Sequence, residues 1–203
     1  MRFPVIAIFF FFSIFTFLGC DDESAVIPLA HVTIEGKSYP TAIIGNQSWT
    51  TQNYEGPGGV PYDGTNSKPE YGKYYSKVEL LAINVPEGWR IPTMEDYKTL
   101  AEFYGISSPS KAGEGDAIKV LISTNHWNNA KGSNASGFNA FPGGYIFGEA
   151  NPIDGDIAEF WTIEGYSFSI QEAGENLSSL RVALYESNSS PDYRFNVRFV
   201  RTN

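Results

Sequence analysis

Two carboxylates, Glu159 and Glu164, flank the apolar pair Phe160-Trp161 and are the nearest approach in this sequence to an acid–base couple. Glycosidases cleave with such a pair. Strand side chains alternate between faces, so an odd spacing points these two apart, and surface charge is the better account of both. Glu95 and Asp96 fall where the first turn of a helix favours acids. The histidines, His31 and His126, stand alone, with no recognisable serine–acid partners. A single cysteine excludes an internal disulfide and Cys₄ or Cys₂His₂ zinc sites, and two histidines exclude His₃ sites. The expectation is a protein that is not an enzyme, with no cofactor and no metal.

Binding chemistry has more material. Asn151-Pro152-Ile153-Asp154-Gly155-Asp156 gathers side-chain oxygens around a proline. It reads as an Asx turn or as the rim of a ligand or cation site. Tyr54, Tyr62 and Tyr71 lie in or beside a stretch rich in Gly and Pro, Glu55 to Tyr71. Pyranose C–H faces stack on such rings while hydroxyls reach polar neighbours; the other reading is that the rings cover the core. Tyr54, Tyr62, Tyr71, Asn151, Asp154 and Asp156 are thus the candidate ligand-binding residues. The formal charge of −9, from 14 Lys+Arg against 23 Asp+Glu, argues against nucleic acid and anionic membrane surfaces as partners.

The elements that must position these residues begin after a separate N-terminal segment. Residues 1–19 carry one charge, Arg2, then a run dominated by Phe and Ile. An uncleaved anchor helix is one reading. A basic start, an apolar middle and the small Gly19 instead describe a secretory signal. Because Cys20 follows directly, the segment resembles a bacterial lipoprotein signal, which implies lipidation (palmitate) of Cys20 and a mature chain starting there. The acids Asp21-Asp22-Glu23 read as a solvated tether over residues 20–30, or resemble the export signals that carry Bacteroidota lipoproteins to the cell surface. The implied location is the outer membrane, lipid-anchored and facing the exterior, with membrane contact through the lipid alone.

From residue 31 to 203 one α+β domain is expected. Val32 and Ile34 alternate with polar residues, a turn at Gly36-Lys37 follows, and Gly45-Asn46 turns a second hairpin into Trp49. Tyr71 to Ile83 has helical spacing. Thr93 and Asp96 form a capping-box pattern ahead of Met94, Tyr97, Leu100, Ala101 and Tyr104, which share a helix face ended by Gly105. A weaker helix is expected over 116–123, and strands over 138–145, 159–163, 179–185 and 195–200.

These pieces, in order, resemble one known family. Tyr39-Pro40-Thr41, Ile44-Gly45-Asn46-Gln47-Ser48-Trp49, Tyr71-Gly72-Lys73-Tyr74-Tyr75, Pro86-Glu87-Gly88-Trp89-Arg90-Ile91-Pro92-Thr93, Asn134 through Gly144, and Phe195-Asn196-Val197-Arg198 are similar to the signature of the Fibrobacter succinogenes major paralogous domain. The resemblance implies a C-type lectin-like fold: two helices flanking small antiparallel sheets with a long loop region. It assigns Trp49, Trp89, Thr93, Phe138, Trp161 and Arg198 to structure. Val85 and Phe199 stand where the family usually has cysteines, which suggests an apolar contact in place of a disulfide. The triplets with which C-type lectins hold calcium are missing, and Trp127-Asn128-Asn129 comes too early in the chain to replace them. The implied role is recognition of a glycan or surface protein without obligatory calcium, carrying adhesion or carbohydrate binding. A structural or adhesin subunit of a surface assembly is the alternative, and a carbohydrate-active enzyme a further one. Asn46, Asn134, Asn176 and Asn188 head Asn-x-Ser sequons that a bacterial protein leaves unused.

Overall fold

A computed structural model describes residues 30–111, 113–174, 179–185 and 190–203. The leader 1–19, Cys20, most of the acidic tether, and the sequon residues Asn176 and Asn188 lie outside the described residues. The fold is of mixed α+β class. Strands β1 (His31–Ile34), β2 (Lys37–Ile44), β3 (Gln47–Thr50) and β9 (Val200–Thr202) form one antiparallel sheet in that order. The remaining strands are β4 (Ile146–Phe147), β5 (Ile157–Trp161), β6 (Ser167–Ala173), β7 (Ser179–Tyr185) and β8 (Tyr193–Arg194). β5, β6 and β7 make a three-stranded antiparallel sheet, and β4 pairs with β8. The helices are α1 (Lys77–Leu81), α2 (Met94–Phe103) and α3 (Gly115–Ile118). No helix among the described residues is long and apolar enough to cross a membrane.

Local chemistry explains the elements. The first hairpin turns on Glu35-Gly36, both at positive φ (47° and 82°), so the turn lies one residue earlier than expected and Lys37 already belongs to β2. The α2 cap is as expected: the Thr93 hydroxyl accepts from the Asp96 amide, and Asp96 accepts from the Thr93 amide at 2.9 Å. The helix expected over Tyr71 to Ile83 is corrected to one short turn, Pro69–Tyr71, followed by α1, which Ser76 and Glu79 cap. Gly72 breaks it. At φ +67°, any Cβ there would stand 2.7 Å from the Asn53 Cβ and 3.0 Å from the Tyr54 carbonyl oxygen. Tyr74 and Tyr75 instead bridge Val60 and Phe195. The strand expected over 138–145 is a run of single bridges, because Pro142-Gly143-Gly144 interrupts pairing. The helix expected over 116–123 shrinks to α3.

Two apolar clusters hold the sheets together. One packs α2 (Tyr97, Leu100, Ala101) against Trp49, Phe138, Phe160, Phe168 and Ile170. Tyr97 and Phe168 stack with centroids 4.4 Å apart. The other gathers Ile34, Tyr39, Tyr54, Tyr75, Trp161, Phe195 and Phe199. Val85 packs against this second cluster, so both positions that replace the family's cysteines serve one apolar group. Arg198 joins the two regions. Fully buried, it donates to Asn53 Oδ1 (2.5 Å) and to the carbonyls of Thr50 (2.7 Å), Phe138 (2.8 Å) and Asn139 (3.0 Å). Burial pulls its guanidinium down to about 9, which leaves it charged at neutral pH.

Candidate functional site

The six candidate ligand residues separate. Tyr54 is fully buried, its ring among Tyr39, Tyr75 and Phe199 and its hydroxyl donating to Glu35. Tyr71 is buried too, under Tyr62, Phe141 and His126. Neither offers a ring face to a ligand, which corrects that expectation; both sit where the chain folds back under the Gly/Pro stretch. Asn151 is exposed, and Asp156 is half-buried with its pKa raised by desolvation.

Tyr62, Asp154 and the neighbouring Lys68 do meet. The Tyr62 hydroxyl donates to Asp154 Oδ1 at 2.9 Å, and the Lys68 ammonium pairs with Asp154 Oδ2. That ammonium also lies 4.5 Å from the Tyr62 ring centre. This closed cluster latches the Gly/Pro stretch to the 151–156 loop. Gly144 sets the loop from beneath: a Cβ there would stand 1.5 Å from the Ile153 carbonyl oxygen. A small groove of about 190 Å³ opens beside the latch, lined by Gln52, Asn53, Glu55, Glu70, Asn139 and Phe141.

The more developed site is one that the sequence reading missed. In the β5–β6–β7 sheet, Ile157 pairs with Gln171, Glu159 with Ser169 and Trp161 with Ser167. The next strand adds Tyr185 opposite Ser167, Ala183 opposite Ser169 and Arg181 opposite Gln171. Alternation therefore sorts the sheet. Phe160, Phe168, Ile170 and Val182 take the face toward the core, and Glu159, Ser167, Ser169, Gln171, Arg181 and Tyr185 take the other. Over this polar face lies a cavity of about 260 Å³, lined by Tyr145, Ile157, Glu159, Gln171, Tyr185, Tyr193 and Phe195. Three of its rings form a mutually contacting wall. Tyr145 and Tyr193 are 5.8 Å apart, Tyr145 and Phe195 6.0 Å, and Tyr193 and Phe195 5.4 Å.

Glu159 is only 4% exposed, which corrects the reading of it as surface charge. The Ser167 hydroxyl donates to its Oε1 at 2.5 Å. Ser169, directly across, is buried, and its hydroxyl also favours the charged carboxylate. Desolvation dominates the carboxyl and pushes its pKa up to about 7. Glu164 does point elsewhere, accepting from the Met94 amide at the start of α2. Arg181 is held at the rim. The Gln171 amide oxygen accepts from its Nε at 2.9 Å, and its guanidinium donates to the Tyr185 hydroxyl at 3.0 Å.

Elsewhere, Trp127 is a buried indole donating to the Ala140 carbonyl, and Asn129 donates to Glu172. A larger concavity of about 500 Å³ runs past Gly113, Asp116, Lys119, Asn129 and Leu180. Among the described residues no aromatic ring lines it, and its Lys119 is paired with Asp116. Trp49, Phe138 and Trp161 are fully buried, whereas Trp89 is half-buried under Arg201, whose guanidinium carbon lies 5.4 Å from its ring.

Signals for the pocket exist in the sequence, but faintly. Ser167, Ser169 and Gln171 alternate with the apolar Phe168 and Ile170. Which face is polar can be read from them; that aromatic residues cover it cannot. The family model described as Fibrobacter succinogenes major domain matches residues 43–201, from within β2 to within β9. No curated protein and no solved structure matches the chain.

Proposed function

The chain belongs to the Fibrobacter succinogenes major domain family, and we propose that it is a recognition module that binds a saccharide in the pocket over the polar face of the β5–β6–β7 sheet. One observation carries this reading: a wall of aromatic rings faces a row of planar and hydroxylic polar side chains across a single small cavity. A pyranose has that same division, with apolar C–H faces and a hydroxyl rim. At about 260 Å³ the cavity falls just below the roughly 300–1,000 Å³ of pockets for drug-sized ligands, a size for one sugar unit rather than a long chain. Calcium is not required in this scheme. It takes six to eight oxygens, and among the described residues one carboxylate lines the pocket.

The fold reading that accompanies this function is C-type lectin-like. The small antiparallel sheets, α2 and the long irregular region between α3 and β4 support it. The enzymatic alternative draws on the raised pKa of Glu159. Glycosidases work with two carboxyl groups, however, and no second one lines this cavity among the described residues. The module is placed on the outside of the outer membrane by a lipid on Cys20, on the strength of the sequence of the leader. Mass spectrometry of the membrane-extracted protein tests this part: an N-terminal acylated Cys20 is expected, and an intact leader with a free thiol overturns it.

The binding part is tested on a glycan array with the purified full chain, with and without EDTA. The expected result is EDTA-insensitive binding that falls at least tenfold in Gln171→Ala and in Tyr185→Ala. An array with no bound saccharide, or binding indifferent to both substitutions, overturns the proposal.

A further inference from the structure

We infer that the ligand of this pocket carries a protonated amine, as a de-N-acetylated amino sugar does, and that Glu159 is its counter-ion. This rests on the saccharide reading of the same pocket and narrows it to a class. The argument begins with what Glu159 lacks. A buried carboxylate is costly unless a cation or several donors compensate it. Here the compensating groups are the neutral Ser167 and Ser169 hydroxyls, and no Lys or Arg among the described residues pairs with the carboxyl. The cation on this face of the sheet, Arg181, is engaged by Gln171 and Tyr185 at the rim.

The walls favour the same charge. Aromatic ring faces attract ammonium groups, more strongly when water is excluded. Tyr145, Tyr193 and Phe195 contact one another beside the carboxyl, and Tyr185 closes the β7 side. At long range, the chain's formal charge of −9 draws cations and repels acidic sugars. A carboxylate at the floor, rings at the wall and an overall acidic chain together describe an ammonium site more closely than a site for a neutral sugar.

Protons set the expected pH dependence. Around Glu159 stand Ser167 and Ser169 on β6, Tyr185 and Arg181 on β7, and Tyr145 and Tyr193 from the flanks of β4 and from β8. Asp156 acts on Tyr145 from the start of β5. Burial pushes the Tyr145 hydroxyl up, away from neutrality, whereas Glu159 is moved toward it. With its pKa raised to about 7 by burial, Glu159 must give up a proton to meet an ammonium ion. Binding therefore strengthens from pH 5.5 to 7 and releases up to about one proton per ligand at the lower pH.

The experiment is calorimetry on the full chain with a β-1,4-glucosamine tetramer and its fully N-acetylated counterpart. It is run in buffers of different ionisation enthalpy at pH 5.5, 6.25 and 7. The expected result is at least tenfold tighter binding of the free amine, with proton release. In Glu159→Gln both that preference and the proton release disappear. The pH and proton readings on the unsubstituted chain hold even if the variant folds poorly. Equal affinity for the two tetramers, without proton release, overturns the amine and leaves the saccharide reading standing. Binding of neither tetramer, together with an array free of bound saccharide, overturns both. Equal competition by Nα-acetyl-lysine amide overturns the sugar as the bearer of the amine.

Discussion

The latch at Asp154 and the pocket at Glu159 are both built from tyrosines and a carboxylate, yet they have opposite chemistry. At the latch the acid is answered from within: Tyr62 and Lys68 supply donors on both oxygens. At the pocket the acid meets neutral serine hydroxyls and, among the described residues, no cation, and its pKa moves up toward neutrality. Buried polar groups normally find partners within the fold. A buried carboxylate without a cation, beside an open cavity, marks where a ligand completes the structure. Residue type alone did not separate the two regions; the state of their hydrogen bonds does.

The sharpest break of the contrast is at Arg198, a buried charge that donates to four acceptors. Arg198→Met strands the acceptors on Asn53, Thr50, Phe138 and Asn139. It is expected to lower stability by about 3–5 kcal/mol in urea unfolding. Glu159 sharpens the contrast in the opposite sense. Its folded pKa of about 7 lies above the ordinary 4.5. Between those pH values the folded chain keeps a proton that the unfolded chain releases, so stability from this group falls as pH rises through the window. The full loss is about 3 kcal/mol. Unfolding curves at pH 5, 6, 7 and 8 should show this slope, and Glu159→Gln should flatten it and exceed the parent in stability at pH 8.

The latch should respond less. Asp154→Ala removes the acceptor for both Tyr62 and Lys68 at a partly exposed position. About 1 kcal/mol of stability should be lost, with calorimetric binding at the pocket unchanged. Tyr62→Phe is milder still, near 0.5 kcal/mol, since Lys68 stays on Asp154. Equal binding losses from the latch and pocket substitutions would mean that the two regions are one site.

Much of the frame was legible in the residues. The β1–β2 and β2–β3 hairpins, the Thr93–Asp96 cap and the face of α2 follow from short-range chemistry that a linear reading captures. The Tyr71–Ile83 segment was misread because its periodicity is helical while Gly72 and the cross-chain bridges of Tyr74 and Tyr75 are decided by distant residues. Of the candidate site, Tyr62 and Asp154 were found, but their pairing was not. Tyr54 and Tyr71 were misplaced because a tyrosine in a glycine-rich stretch looks the same whether its ring points out or in.

The order of turns, caps and alternating strands, the acidic charge and the family were fixed by the sequence itself, since each depends on neighbours a few residues away or on composition. Which carboxylate is answered and which is left waiting was decided only by tertiary structure. Residues 145, 159, 171, 185 and 193 lie far apart along the chain, and a buried charge is defined by what surrounds it in space.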